Sequence, residues 1–449
     1  MKSIALHNLG CKVNAYEMEV MQQMLQEKGY KIVSFDESAD IYIINTCTVT
    51  NIADRKSRQM LHRAKNKNPN AIVVAMGCYV QTGEDTIEKD PAIDLVIGNN
   101  RKKDVVKILE EYLAAKEKGM SSGADKTLNH STVIDINHTD EYEEMPFPKT
   151  LRSLTREHTR AYIKIQDGCD RFCSYCIIPY ARGRARSRRE EDILTEVSEI
   201  VKQGYQEIVL TGIHISSYGI DRGQTELLKL LYELDKVKGL TRVRLGSLEP
   251  GIITEEFVKK ISTLPQICPH FHLSLQSGCD ETLCRMNRHY TTREYLEKVE
   301  ILRKYFNMPA ITTDVIVGFP GETEEEFAHT EDFLEKVHFY EMHIFKYSKR
   351  KGTKAAAMEG QILEAVKAER SNRLMQLEKR MSEEYRQAFV GKETEVLFEE
   401  TKEIDGRIYQ VGHTREYIKA AKATQEDLSN RILKGLVTGF LCEDIMIVG

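Results

Sequence analysis

The stretch AYIKIQDGCDRFCSYCIIPYARGRARSR, residues 161–188, decides how this chain is read. A β-type run at 161–166 breaks at Asp167-Gly168 and delivers Cys169, Cys173 and Cys176 in C-x3-C-x2-C spacing. Three thiolates on one short loop can hold three irons of a 4Fe-4S cluster and leave the fourth iron open to a substrate. A structural zinc site or three unlinked thiols would use the same residues. A closed zinc site needs a full tetrahedral ligand set, and no second compact Cys/His pair lies nearby to complete one.

Working outward, five more β-type runs follow at 207–211, 242–246, 270–275, 311–317 and 342–347, each trailed by a helical pattern. Six β/α units fit a partial TIM-like (βα)6 barrel, with functional residues expected at the strand carboxyl ends. After a charged helical stretch at 361–387, short runs at 394–398, 407–411, 416–420, 433–438 and 445–448 suggest a small OB-like β-barrel. Upstream, runs at 3–7, 31–35, 41–45, 71–75 and 94–97 alternate with helical stretches such as 14–28 and 105–113, which indicates a parallel α/β sheet. The expected class is therefore α/β, with an N-terminal domain at 1–113, a polar linker at 114–150 carrying one short strand at 132–136, a barrel with its trailing helix at 151–387, and a β-barrel domain at 388–449.

Composition agrees with a globular chain of about three domains: 449 residues, 41% apolar and 30% charged. The longest nearly uninterrupted apolar run, 71–80, is too short to span a bilayer, and the first residues lack a signal-peptide core, so a cytoplasmic protein without membrane association is expected. Lys and Arg number 64 against 69 Asp and Glu, a net charge of -5, so any nucleic acid would have to be held by local patches. Ten cysteines are too few for a disulfide scaffold, and clustered cysteines in a large cytosolic chain point to metal or chemistry.

Three of those cysteines follow N-terminal strands closely. Cys11, Cys47 and Cys78 come just after the first, third and fourth runs, and ligands of open α/β sheets sit beyond the carboxyl ends of strands. One shared site is the reading this placement favours, with independent buried or surface thiols as the alternative. Cys268, Cys279, Cys284 and Cys442 have no evident metal partner and read as ordinary core or surface residues.

The cysteine spacing at the first barrel strand resembles that of the radical S-adenosylmethionine superfamily. Together with LTGIHISSYG (210–219), RLGSLEP (244–250), LSLQSGCD (273–280), TDVIVGFPGET (313–323), NLGCKVN (8–14) and YSKRKGTKAA (347–356), the chain resembles the methylthiotransferases over essentially its whole length, with a C-terminal barrel similar to their TRAM domain. The resemblance implies two 4Fe-4S clusters, one on Cys169, Cys173 and Cys176 and an auxiliary one on Cys11, Cys47 and Cys78. It also implies S-adenosylmethionine as cofactor, a tRNA substrate and an electron donor such as flavodoxin or ferredoxin. An aromatic C–H is neither acidic nor a leaving group, so its replacement by S–CH3 calls for radical chemistry, which is cofactor work. By the same resemblance Tyr175 lies near the adenine of the cofactor. Gly212, Glu249, Gln276 and Gly318, at strand ends, are further candidate contacts to it.

Gly10-Cys11-Lys12-Val13-Asn14 looks most like the branch that methylthiolates N6-threonylcarbamoyladenosine at tRNA position 37, next to the anticodon. The alternatives are the branches acting on N6-isopentenyladenosine or on a ribosomal-protein aspartate, and, from another class, a non-catalytic RNA-binding iron-sulfur protein. Arg182, Arg184, Arg186, Arg188 and Arg189 form the expected RNA-binding cluster, with Arg55, Lys56, Arg58, Arg63, Lys65 and Lys67 as a second basic stretch. The C-terminal barrel carries eight Lys and Arg against eleven Asp and Glu, so RNA contact there would rest on a few side chains such as Arg407, Tyr409, His413, Arg415 and Tyr417.

Overall fold

Consecutive β/α units produce two parallel layers in this computed structural model, which describes residues 2–83, 87, 89–118, 131–133 and 159–449. In the first, strands β1 (Ser3–Asn8), β2 (Lys31–Val33), β3 (Ile41–Thr46), β4 (Ile72–Gly77), β5 (Leu95–Ile97) and β6 (Ser131–Val133) form one parallel sheet in the order β2-β1-β3-β4-β5-β6. The all-apolar runs Ile41-Tyr42-Ile43-Ile44 and Ile72-Val73-Val74-Ala75-Met76 are buried on both faces, which is why β3 and β4 occupy the middle of the sheet. Helices α1 (Lys12–Glu27), α2 (Asn51–Lys67), α3 (Cys78–Thr82) and α4 (Val105–Glu117) follow their strands. Helix α4 extends to Glu117, and β6 joins the sheet, so parts of the expected linker belong to the first domain. The rest of that linker, 119–130 and 134–150, lies outside the described residues, as does 151–158 at the expected start of the barrel.

The central unit alternates β7 (Arg160–Lys164), the short β8 (Gln166–Asp167), α5 (Ile178–Arg182), β9 (Arg186–Ser187), α6 (Glu190–Lys202), β10 (Glu207–Thr211), α7 (Leu227–Asp235), β11 (Arg242–Leu245), α8 (Glu255–Ile261), β12 (His270–His272), α9 (Asp280–Arg285), α10 (Thr292–Tyr305), β13 (Ala310–Val317), α11 (Glu324–Val337) and β14 (Glu341–Lys346). Strands β7, β10 and β11 make one parallel triplet, and β12, β13 and β14 another. Single bridges Val243↔Ile267 and Leu248↔Leu273 join the two triplets. The six expected strands are all present, arranged as two half-sheets of a partial barrel. Capping boxes at Thr291/Glu294 and Thr323/Glu326 start α10 and α11.

Helix α12 (Glu364–Gln387) leads to β15 (Glu393–Ile404), β16 (Arg407–Thr414), β17 (Lys419–Ala423), β18 (Ile432–Cys442) and β19 (Ile445–Val448), a closed five-stranded barrel in the order β15-β16-β17-β19-β18. This barrel is fixed to the central one by buried arginines. Arg242 donates to the His413 and Glu395 carbonyls at 3.1 and 2.9 Å, Arg244 donates to the Arg415 carbonyl at 3.0 Å, and Arg415 returns a bond to the Ile267 carbonyl at 2.8 Å. Among the described residues, no helix is long and apolar enough to cross a membrane.

Candidate active site at the two cysteine loops

Strand β7 ends where the chain must turn sharply, and Gly168, at φ +68°, makes that turn. A Cβ there would stand 1.8 Å from the Arg184 carbonyl oxygen, so only glycine lets the two backbones meet. The Cys169 N–H donates to the Gly183 carbonyl at 3.1 Å and the Cys176 N–H to the Cys173 carbonyl at 2.9 Å, which folds the loop on itself. Its three thiols line a cavity of ≈ 340 Å³, together with Tyr175, Glu249 and Gln276. Burial pushes the Cys169 thiol up to about 11 and Cys176 up to about 12, and the neighbouring thiols of the loop add to the shift. Such thiols stay protonated until a cation comes to share their charge. The Arg288 guanidinium already donates to the Cys173 sulfur at 3.2 Å.

Glu249 is the fixed anion of the cavity. Burial alone would raise its carboxyl, but His214 at 3.0 Å, Arg288 at 3.4 Å and the Arg171 guanidinium outweigh burial and hold it at about 2. Sequence reading identified Glu249 and missed His214, Arg171 and Arg288, because nothing in their local sequence shows that three separate segments converge on one carboxylate. Gly212 and Gly318, expected at the cofactor, are not among the residues lining the cavity. A Cβ on Gly212 would meet Gln166 and Ile215 at about 3.0 Å, and one on Gly318 would meet the Lys367 side chain at 2.3 Å, so a larger residue at either position would collide with a neighbouring segment.

On the N-terminal sheet, Cys11 caps α1 after β1, Cys47 follows β3, and Cys78 opens α3 after β4. These strands are consecutive neighbours, so the three cysteines share one carboxyl edge. Gly10, at φ +98°, sits so close that a Cβ would lie 2.8 Å from the Cys47 sulfur. Burial raises the Cys47 thiol to about 11, with Cys78 and Cys11 adding to it. The Gly-Cys dipeptide recurs at 10–11, 77–78, 168–169 and 278–279, and at the first three the glycine takes a positive φ of +98°, +103° and +68°, which lets the loop turn back over its own sheet edge.

An ion-pair network holds the two cysteine loops to each other. Arg182, at the end of α5, donates to Glu17 of α1 at 2.9 Å, to Asp167 at 3.0 Å and to the Asn14 side-chain oxygen at 2.6 Å. Lys164 reaches Glu17 at 2.7 Å and Asp167 at 2.6 Å, and Lys102 reaches Glu17 at 2.6 Å. Burial would raise the Glu17 carboxyl, but Arg182, Lys102 and Lys164 hold it well below its usual range. Asn99 completes the junction, donating to the Ala181 carbonyl at 2.8 Å and facing the Cys78 sulfur at 3.6 Å.

This network corrects the expected RNA-binding cluster. Arg182, Arg186 and Arg188 are buried: Arg182 serves the network, Arg186 donates to the Arg182 carbonyl at 3.1 Å, and Arg188 pairs with buried Glu196. Only Arg184 and Arg189 of that set are exposed. In the second basic stretch, Arg63 and Lys67 pair with Asp36 and Lys65 with Asp94. The C-terminal candidates are also largely committed. Tyr417 stacks between His270 and His413, with the Arg160 and Arg244 guanidiniums over its ring, so His413, Arg415 and Tyr417 form the joint with the central barrel.

Comparison with known proteins agrees with this construction. Residues 3–98 match the uncharacterized protein family UPF0004, and residues 163–334 match the radical SAM superfamily. The chain is 41% identical, over 97% of its length and 93% of the relative, to the threonylcarbamoyladenosine tRNA methylthiotransferase MtaB of Bacillus subtilis. It is 40% identical to the protein of the same name from Aquifex aeolicus, over 88% of this chain and 92% of that one. The tRNA-2-methylthio-N(6)-dimethylallyladenosine synthase of Protochlamydia amoebophila is 36% identical, over 92% of this chain and 89% of that protein. Among solved structures, the radical S-adenosylmethionine methyltransferase TsrM of Kitasatospora setae shares the fold with a TM-score of 0.57 and 16% identity, covering 79% of this chain and 74% of that one.

Proposed function

From the premise that the chain belongs to the radical S-adenosylmethionine methylthiotransferases, we propose that it transfers a methylthio group to C2 of N6-threonylcarbamoyladenosine at position 37 of tRNA. Family membership implies S-adenosylmethionine and a 4Fe-4S cluster. The donor set supports Cys169, Cys173 and Cys176 as its holders: three converging thiols, two of them raised by burial, lining the cavity. Cys11, Cys47 and Cys78 would hold a second cluster by the same argument from converging thiols. When bound, these groups supply the one-electron and sulfur-transfer chemistry that an inert aromatic C–H demands.

The side chains of the chain itself bind and orient. Glu249, kept ionised by His214, Arg171 and Arg288, offers a fixed acceptor for the cationic amine of the cofactor, and Gln276 presents an amide to the same cavity. Tyr175 contributes an aromatic wall beside Cys173 and Cys176. Val49 and Thr50, just past Cys47, line that same cavity. This shared lining is the observation that carries the proposal, because transfer between two centres requires one substrate atom within reach of both. A tRNA substrate and reduced thiols fit a cytoplasmic enzyme supplied with electrons by a donor such as flavodoxin or ferredoxin.

Nucleoside mass spectrometry of tRNA from a deletion strain tests the substrate. Loss of the methylthio derivative of threonylcarbamoyladenosine is expected, and its undiminished presence overturns the assignment. Anaerobically reconstituted protein should carry about eight irons if both triads hold four-iron clusters, falling to about four in Cys11→Ala. A wild-type count of four, unchanged in that variant, overturns the second cluster.

A further inference from the structure

With Arg182, Arg186 and Arg188 buried, phosphates approaching the cavity need other cations near its mouth. The inference that follows rests on the tRNA reading above. The cavity wall runs through Phe345, Lys346, Tyr347 and Ser348 on one side and through Val49 and Thr50 on the other. Each of these walls continues outward into a basic element. Beyond Ser348 the chain reads Lys349-Arg350-Lys351-Gly352-Thr353-Lys354, and beyond Thr50 helix α2 presents Arg55 and Lys56 one turn on.

Arg350 pins the two elements together and is itself unavailable to a ligand. Its buried guanidinium donates to the Thr48 hydroxyl at 2.6 Å and the Asn51 side-chain oxygen at 2.8 Å, and pairs with Asp54 at 2.7 Å. The Asn51 N–H closes the joint by donating to the Ser348 hydroxyl at 2.9 Å. The Thr353 N–H and hydroxyl both bond back to the Arg350 carbonyl, which shapes the loop. Asp54, the acid of this joint, is therefore neutralised within it.

The remaining cations point outward. Lys349, Lys351, Lys354, Arg55 and Lys56 are all exposed, and no ion pair or hydrogen bond engages their side chains among the described residues. Lys349 and Lys351 border an open depression of ≈ 700 Å³ shared with Asn51, Gly352 and Thr353. Of the cavity-lining residues, Val49 and Phe345 are 49% and 44% exposed; Ile52, two positions past Thr50, is 54% exposed, and Phe172, between the cavity-lining Arg171 and Cys173, is 43% exposed. Unpaired lysines next to solvent-facing aromatic and branched side chains at a cavity mouth suit a single-stranded nucleic-acid loop, whose phosphates take the charge while unstacked bases take the apolar rim.

We propose that the ridge formed by residues 349–354 and the start of α2 is the docking surface for the phosphate backbone of the tRNA anticodon arm. In this position it delivers the target base to the cavity from the side shared by both cysteine loops. Recognition there is electrostatic and orienting, so it sets affinity and register more than base identity.

The test uses the full-length reconstituted protein and unmodified substrate tRNA, with binding followed by fluorescence anisotropy across a salt series. Lys349→Glu/Lys351→Glu should weaken binding by about tenfold or more at low salt and flatten the dependence of log K on log salt by about one to two units. Melting temperature and iron content should match wild type, because neither lysine has a partner to lose. Binding and salt dependence indistinguishable from wild type would overturn the ridge while leaving the methylthiotransferase reading standing. Arg407→Glu, on the C-terminal barrel, should weaken binding less than the double variant does; a loss there with the double variant indistinguishable from wild type places the anchor on that barrel and refutes the ridge. Failure of the wild-type protein to bind tRNA at all would instead sink the substrate reading on which the proposal rests.

Discussion

Two basic segments adjoin the cysteine loops with opposite fates. Along 182–189 the arginines turn inward: Arg182, Arg186 and Arg188 are buried, and two of the three are matched to carboxylates. Along 346–354 the lysines turn outward, and the single arginine, Arg350, is the one cation taken into the interior. The difference follows from the two cations. A guanidinium is weakly hydrated and presents a planar fork that several acceptors can satisfy at once, whereas an ammonium is strongly hydrated and loses more on burial. Local charge density therefore says little about where nucleic acid binds; the presence of buried acceptors nearby, such as Glu17 and Glu196, says more.

The largest expected effect comes from emptying the buried side of this comparison. Arg182→Met leaves Glu17 and Asp167 sharing only lysine partners, and should cost about 3–5 kcal/mol in denaturant unfolding. A cost below about 1 kcal/mol would place this arginine with the exposed ones. Next is the pH response of the same network. The Glu17 carboxyl is lowered in the folded state from its usual 4.5, so its contribution is fully present above that value and is lost as pH falls below it towards the lowered folded-state value. Glu17→Gln should remove up to about 1.4 kcal/mol per pH unit from the acid-side slope of stability, read from unfolding curves between pH 5 and the acid limit of folding, roughly one proton's worth.

Smaller again is the joint with the C-terminal barrel. Tyr417→Ala removes a ring stacked on His270 and His413, and should lower stability by about 1–2 kcal/mol in calorimetry. An unchanged melting profile would return Tyr417 to the list of side chains available for RNA. Smallest is Arg184→Ala. That exposed guanidinium stands 3.8 Å from exposed Asp170, and its removal should change stability by less than about 0.5 kcal/mol, well below the cost of Arg182→Met two positions earlier.

Much of the architecture was legible because parallel α/β folds write themselves as short apolar runs separated by amphipathic stretches. Glu207–Thr211 and Ile445–Val448 are observed at the ends the sequence assigned, and the other barrel runs start within three residues of their expected starts, but β15 and β18 continue six and four residues past their expected ends. The convergence of Cys11, Cys47 and Cys78 was also readable, since each follows a strand and parallel strands end on one edge. By contrast, Gly212 and Gly318 show that a glycine demands close approach without naming the neighbour: a Cβ at these positions would meet Gln166 and Lys367, segments that no local pattern pairs with them.

The sequence by itself determined the order of units, the two cysteine triads and the chemistry that thiols in such spacing can support, because these depend on local periodicity and residue type. Only the tertiary structure decided which charges remain for a substrate. Whether an arginine is a ligand for RNA or a strut between domains depends on carboxylates that arrive from elsewhere in the chain, as Glu17 reaches Arg182 across 165 positions, and pairing at that separation is set by how the domains pack rather than by any local pattern.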